Sequence, residues 1–145
     1  MTQEEKQLLI KDICARLPYG VIIHTWYEKY LDIKCTGVNV YTNAVDLDIP
    51  DDDDARVYVD NVKPYLRPMS SMSKDEIQEY KTLFRWIEVD GWGGETVLDF
   101  VVKMEDYIYL GDILNWLNAH HFDYRDLIEK GLALEAPEGM YGENC

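Results

Sequence analysis

Basic side chains are scarce: 14 Lys and Arg stand against 28 Asp and Glu in 145 residues, a formal net charge of -14 at pH 7. Affinity for nucleic-acid phosphates comes from cationic side chains that release counterions, so direct nucleic-acid binding is excluded. Anionic membrane surfaces are excluded for the same reason. Long apolar runs are missing too. Val21–Ile23 and Val97–Val102, the latter interrupted by Asp99, are far too short to span a bilayer. Met1–Lys11 lacks the apolar centre of a signal peptide and carries Glu4 and Glu5 where basic residues would stand. Cysteine is rare. Cys14, Cys35 and Cys145 are odd in number and form no C-x-x-C pair, which argues against a disulfide framework or a thiolate zinc site. A soluble, cytoplasmic protein with reduced thiols is expected.

Apolar residues, by contrast, make up 47% of the chain and aromatics 12%, which excludes a disordered polymer and leaves enough core for one domain. Thr2 with Glu5 has the spacing of a capping box, and Leu9, Ile13 and Leu17 continue a helical stripe to Pro18. From Val21 the period changes to two, predicting strands near 21–28, 32–41, 44–49 and 56–60 with short antiparallel connections. Residues 63–72, with Pro64 and Pro68, read as an extended connector. Ser73 with Glu76 opens a second helix to about Arg85, and Trp86–Val89 and Thr96–Lys103 read as strands around a Gly91–Gly94 turn. Asp112 is placed to cap a helix over 113–121, and Asp123 another ending at Lys130 with Gly131 behind it. The expected fold is α+β: residues 1–136 form a single domain with an antiparallel sheet of four to six strands. N-terminal and C-terminal helices pack on it, and 137–145 form a loosely held acidic tail.

The negative charge is not spread evenly. Residues 42–62 hold seven acids and one base, and 86–112 again seven and one, whereas 63–85 hold three acids and five bases. Alternation places Val45, Leu47 and Ile49 on one face of a strand and Asp46 and Asp48 on the other, ahead of the run Asp51, Asp52, Asp53 and Asp54.

Familiar chemistry does not fit these residues. A calcium loop begun at Asp51 would put Arg56 at the sixth position and Val62 at the twelfth, where Gly and Glu are needed. Gly91, Gly93 and Gly94 lack a following Gly-Lys-Ser/Thr and an anion-holding helix start. His120 and His121 diverge by about 100° if helical and cannot share one metal. A recognition helix over 123–130 would set Arg125 and Lys130 against three acids. No metal, cofactor or catalytic residue is assigned, and a non-enzymatic role is favoured.

Three runs carry a resemblance: Ala15–Val21, Val62–Met72, and Asp112–Tyr141 with its Trp-Leu-Asn-Ala-His-His-Phe-Asp-Tyr-Arg centre. Together they resemble a family of small proteins carried by bacteriophages and mobile elements of gut bacteria. The resemblance implies a phage or prophage setting, hence the cytoplasm of a bacterial host, and brings no catalytic residue with it. Joined to the clustered carboxylates, it gives the leading expectation, an inhibitor of a host defence nuclease such as a CRISPR effector or a restriction enzyme. Its acidic surface would occupy the enzyme's basic cleft by imitating nucleic-acid charge. Asp46, Asp48, Asp51–Asp54 and Asp60 would make the contacts, with Glu88, Asp90, Trp92, Glu95 and Asp99 as a second patch. Two alternatives stay open: a phage protein of unrelated housekeeping role, and a module that binds a small nucleotide through Tyr65, Arg67, Arg85 and Trp86.

Overall fold

A computed structural model of the chain describes residues 1–26, 32–49, 55–83 and 110–142. Helix α1 (Gln3–Arg16) begins with the reciprocal bonds of a capping box: Glu5 N donates to Thr2 Oγ1 at 3.1 Å, and Thr2 N to Glu5 Oε1 at 2.9 Å. A short 3-10 turn over Leu17–Tyr19 ends at Gly20, whose φ of 71° lies in the left-handed region that glycine adopts without strain. Strands β1 (Ile22–Thr25), β2 (Asp32–Asn39), β3 (Ala44–Leu47), β4 (Arg56–Tyr58) and β5 (Val62–Leu66) follow. Helix α2 (Lys74–Leu83), helix α3 (Leu110–Ala119) and the two-residue strand β6 (Leu134–Glu135), with 3-10 turns at Val59–Asn61 and Met69–Ser71, complete the described elements.

The sheet has the order β4-β3-β2-β1-β5-β6. Its first five strands pair antiparallel, but β6 lies parallel to β5, with Tyr65 opposite Leu134 and Leu66 opposite Glu135. The fold is therefore α+β with a mixed sheet rather than a wholly antiparallel one. Side chains alternate as the pleat requires. Ile23, Cys35, Val45, Leu47, Val57, Val62 and Leu66 join Leu9 and Ile13 of α1 in one core, so α1 covers that face of the sheet. Burial pushes the Cys35 thiol up to about 12, which leaves it protonated and unreactive.

Three expectations are corrected. The stretch read as a connector is strand β5. Beside Pro64 the neighbouring strand β6 is absent, because it reaches only Tyr65 and Leu66, and a strand tolerates a residue without N–H where no ladder bond is needed. Residues 123–130 form turns, not a helix. Asp123 does receive the N–H groups of Leu127 and Ile128 at 2.9 and 3.0 Å, but Asp126 has φ 57°, which no α-helix accommodates. The segment from Pro137 to Gly142 is fastened, not loose: Tyr141 Oη accepts from Ile22 N at 2.9 Å and donates to Tyr65 O at 2.7 Å. Among the described residues no helix is long and apolar enough to cross a membrane. The expected strands at Trp86–Val89 and Thr96–Lys103 and the Gly91–Gly94 turn lie outside the described residues.

Candidate functional site

Two charged clusters tie α1 to the 122–125 turn and α2 to the residue after β5, and draw two acids, Asp12 and Glu76, off the open surface. Asp12 and Arg16, one helical turn apart on α1, are both fully buried, and Arg16 Nε and Nη2 donate to the carboxylate at 2.9 and 3.1 Å. Arg125 Nη1 adds a third bond to Asp12 at 2.7 Å, and Arg16 Nη2 also reaches Phe122 O at 2.6 Å. In the second cluster Glu76 accepts both terminal nitrogens of Arg67, at 2.7 and 2.6 Å, while capping α2 through Ser73 N. Burial alone would raise the Glu76 carboxyl, but the Arg67 and Ser73 bonds outweigh it and hold the group down at about 2. Arg67 lies 4.3 Å over the Phe122 ring, so the guanidinium of the nucleotide-binding set is committed to the fold. Its companions Arg85 and Trp86 lie outside the described residues.

Helix α3 ends in a Schellman arrangement: His121 N donates to Asn118 O and Phe122 N to Leu117 O, with His121 at φ 59° where glycine is usual. His121 is buried with Nε2 3.0 Å from Tyr19 O, which assigns the ring proton to Nε2. Burial, then the charge of Arg16, pushes its pKa down to about 4. His120 packs on Trp116 at 4.3 Å between ring centres, with Nδ1 3.3 Å from Glu76. The adjacent histidines thus take separate structural places. Among the described residues no group of three or more His, Cys, Asp or Glu is placed to hold a metal ion.

Of the acidic residues singled out from the sequence, three are described. Asp46 and Asp48 lie on the sheet face turned away from α1, since Val45 and Leu47 between and beside them enter the core. Asp46 meets Arg56 Nε at 2.9 Å in a pair about half exposed, 41% and 55% for the two side chains. Gly37 across the ladder makes room for it, because a Cβ there would come 3.0 Å from Asp46 Oδ2. Asp48 is exposed. Asp60 instead pairs with Lys6 of α1 at 3.4 Å and does not join the other two. Asp51, Asp52, Asp53, Asp54, Glu88, Asp90, Trp92, Glu95 and Asp99 lie outside the described residues.

The same outer face carries further side chains, of which sequence reasoning singled out only Tyr65, and that for a nucleotide module. His24 on β1 and Asp32 on β2 are direct cross-strand partners, with Nδ1 2.9 Å from Oδ1, and Tyr65 Oη donates to the same oxygen at 3.0 Å. Burial first, then this carboxylate, raises the Tyr65 pKa. Trp26, 58% exposed, packs edge-on against His24. Farther along, Lys34 sits opposite Ile22, and Tyr141 lies over Ile22 through its hydroxyl. Only three-dimensional pairing unites these residues, which come from four separate stretches of sequence. The arrangement offers an oriented imidazole, phenols and two lysines, Lys34 and Lys63, the latter with Nζ 5.6 Å from the Trp26 ring centre, and is suited to recognition. No family model matches the chain, and neither a curated protein nor a solved structure matches it.

Proposed function

We propose that this protein is a non-enzymatic, phage-type inhibitor that places Asp46, Asp48 and the neighbouring acidic run in the basic cleft of a host defence nuclease. The observation that carries the reading is the pair Asp46 and Asp48, presented on the α1-free face immediately before the sequence Asp51–Asp54, in a chain of net charge -14. The Arg56 partner of Asp46 does not spoil this. An ion pair that exposed is worth about 0–1 kcal/mol, so a cleft arginine can take its place at little cost. Complementary charge would speed encounter with the cleft and exclude the nuclease's own polyanionic substrate.

The test titrates the protein into an RNA-guided DNA nuclease and into a restriction endonuclease, each with its DNA substrate. Cleavage by one of them falls, excess DNA restores it, and inhibition fades as salt shortens the Debye length from about 10 Å at 0.1 M to about 3 Å at 1 M. A variant with Asp46, Asp48 and Asp51–Asp54 changed to Asn loses inhibition, chiefly through slower association, while its stability stays within roughly 0.5 kcal/mol of the parent. Equal inhibition by that variant at low salt, or none by the parent of either enzyme, overturns the proposal.

A further inference from the structure

A cavity of about 400 Å³ opens on the outer face where the turn after α1, strands β1 and β2, the end of α3 and the C-terminal segment converge. Its size falls within the usual range for small-molecule sites. Tyr141 is held rigid in its wall: the hydroxyl is bonded to the backbone of both Ile22 and Tyr65, and the ring stacks on His121 at 3.7 Å with 16° between planes. The His121 imidazole donates through Nε2 to Tyr19 O, and its buried Nδ1 has no hydrogen-bond partner. This residue also carries the left-handed backbone that a side chain rarely adopts. Two costs therefore fall on a single residue lining the cavity, a pattern concentrated at ligand sites.

Charge narrows the ligand. Lys34 is the sole cation among the described residues of the lining, and its side chain lies over the Gly20 turn, with Cε 3.6 Å from where a Cβ on Gly20 would stand. Its direct ladder partner on β1 is Ile22, and two aspartates lie close to it in the chain and the sheet. Asp32 is two residues earlier on the same strand face, and Asp48 N donates to Lys34 O at 2.9 Å from the next strand. One negative charge is satisfied by Lys34, and among the described residues of the lining no second cation stands to pair with another. The rest of the lining is aliphatic or aromatic, including Ile22 and Met140.

We propose that this cavity binds a small aromatic monoanion, its ring body against Ile22 and Tyr141 and its anionic group on Lys34 Nζ. The site is separate from the carboxylates of the inhibitor reading, and its test does not require a nuclease. Anilinonaphthalene sulfonate serves as the fluorescent monoanion and phenylnaphthylamine as its uncharged counterpart. The parent binds one sulfonate per chain. Lys34→Met, at an exposed position, weakens the sulfonate about tenfold, as expected for loss of a charge-assisted contact, and leaves the uncharged probe unchanged. Ala119→Trp fills the cavity and weakens both probes; Met140→Trp replaces it if that variant melts early. Naphthalene sulfonate competes better than naphthalene disulfonate. Sulfonate affinity unchanged in Lys34→Met, or equal competition by the disulfonate, overturns the proposal.

Discussion

Asp12→Asn changes almost nothing in shape and removes the one negative charge between two guanidiniums. Asp12 and Arg16 are fully buried, and Arg125, 14% exposed at its side chain, completes the set. After the substitution the Arg16 charge stays inside with only Phe122 O as a strong acceptor, and an amide NH₂ can face a guanidinium where an oxygen stood. Breaking a buried pair in this way costs about 3–5 kcal/mol. Whole domains are stable by about 5–15 kcal/mol, so a large share of the total is removed. With a urea slope of about 2 kcal/mol per molar, the unfolding midpoint falls by about 2 M. Equilibrium urea unfolding followed by far-UV circular dichroism measures this directly. The companion variant Asp12→Leu/Arg16→Met/Arg125→Met replaces all three charges with apolar groups and regains most of the loss, because no uncompensated charge remains beside α1. A midpoint for Asp12→Asn within about 0.5 M of the parent refutes the argument that this carboxylate neutralises a buried cation.

Other outcomes follow from the same physics. His121 is neutral in the fold, with its pKa near 4 against an ordinary 6.5, so between those values the unfolded chain binds more protons. Its contribution is complete above pH 6.5 and is lost as pH falls toward 4, by about 3 kcal/mol; urea midpoints at several pH values test this, and His121→Phe should flatten the slope. Glu76→Gln removes the charge that holds both Arg67 nitrogens and should cost about 1.5–3 kcal/mol, read from the thermal midpoint. An unchanged midpoint would mean that the pair is only a surface contact. Tyr141→Phe deletes the hydroxyl that serves Ile22 N and Tyr65 O; it should cost about 1 kcal/mol and speed hydrogen exchange at the Ile22 amide. Unaltered exchange there would contradict the fastening of the C-terminal segment.

Local signals were legible in the sequence and non-local ones were not. The capping boxes at Thr2 and Ser73 form as their spacing predicts, because each involves residues three apart. The alternation through Val45, Asp46 and Leu47 likewise fixed which side chains enter the core. Pro64 disguised β5, since its tolerance depends on where β6 stops, a fact held by residues about 70 positions later. Charge counting alone does not show that Asp12 and Glu76 leave the open surface. Each is buried or nearly so by arginines elsewhere in the chain, Asp12 by one 113 residues away. The cavity was invisible for the same reason: Ile22 and Tyr141 meet across 119 residues, and neither belongs to a local pattern. Asp46 and Asp48 could be found early because strand alternation alone decides their face.

Among the described residues the sheet is bounded by its two shortest strands, β4 with three residues and β6 with two. At roughly 3.3 Å per residue, each presents about 10 Å or less of ladder. A chain that is 47% apolar carries a standing risk of stacking edge to edge into aggregates. Such growth needs a flat, extended template of unpaired backbone groups, and neither border supplies one. The β4 border also turns the charged Arg56 outward beside Asp46, a further obstacle to an incoming strand. Among the described strands, resistance to edge-to-edge growth thus follows from where the sheet stops, as much as from the charge on its surface.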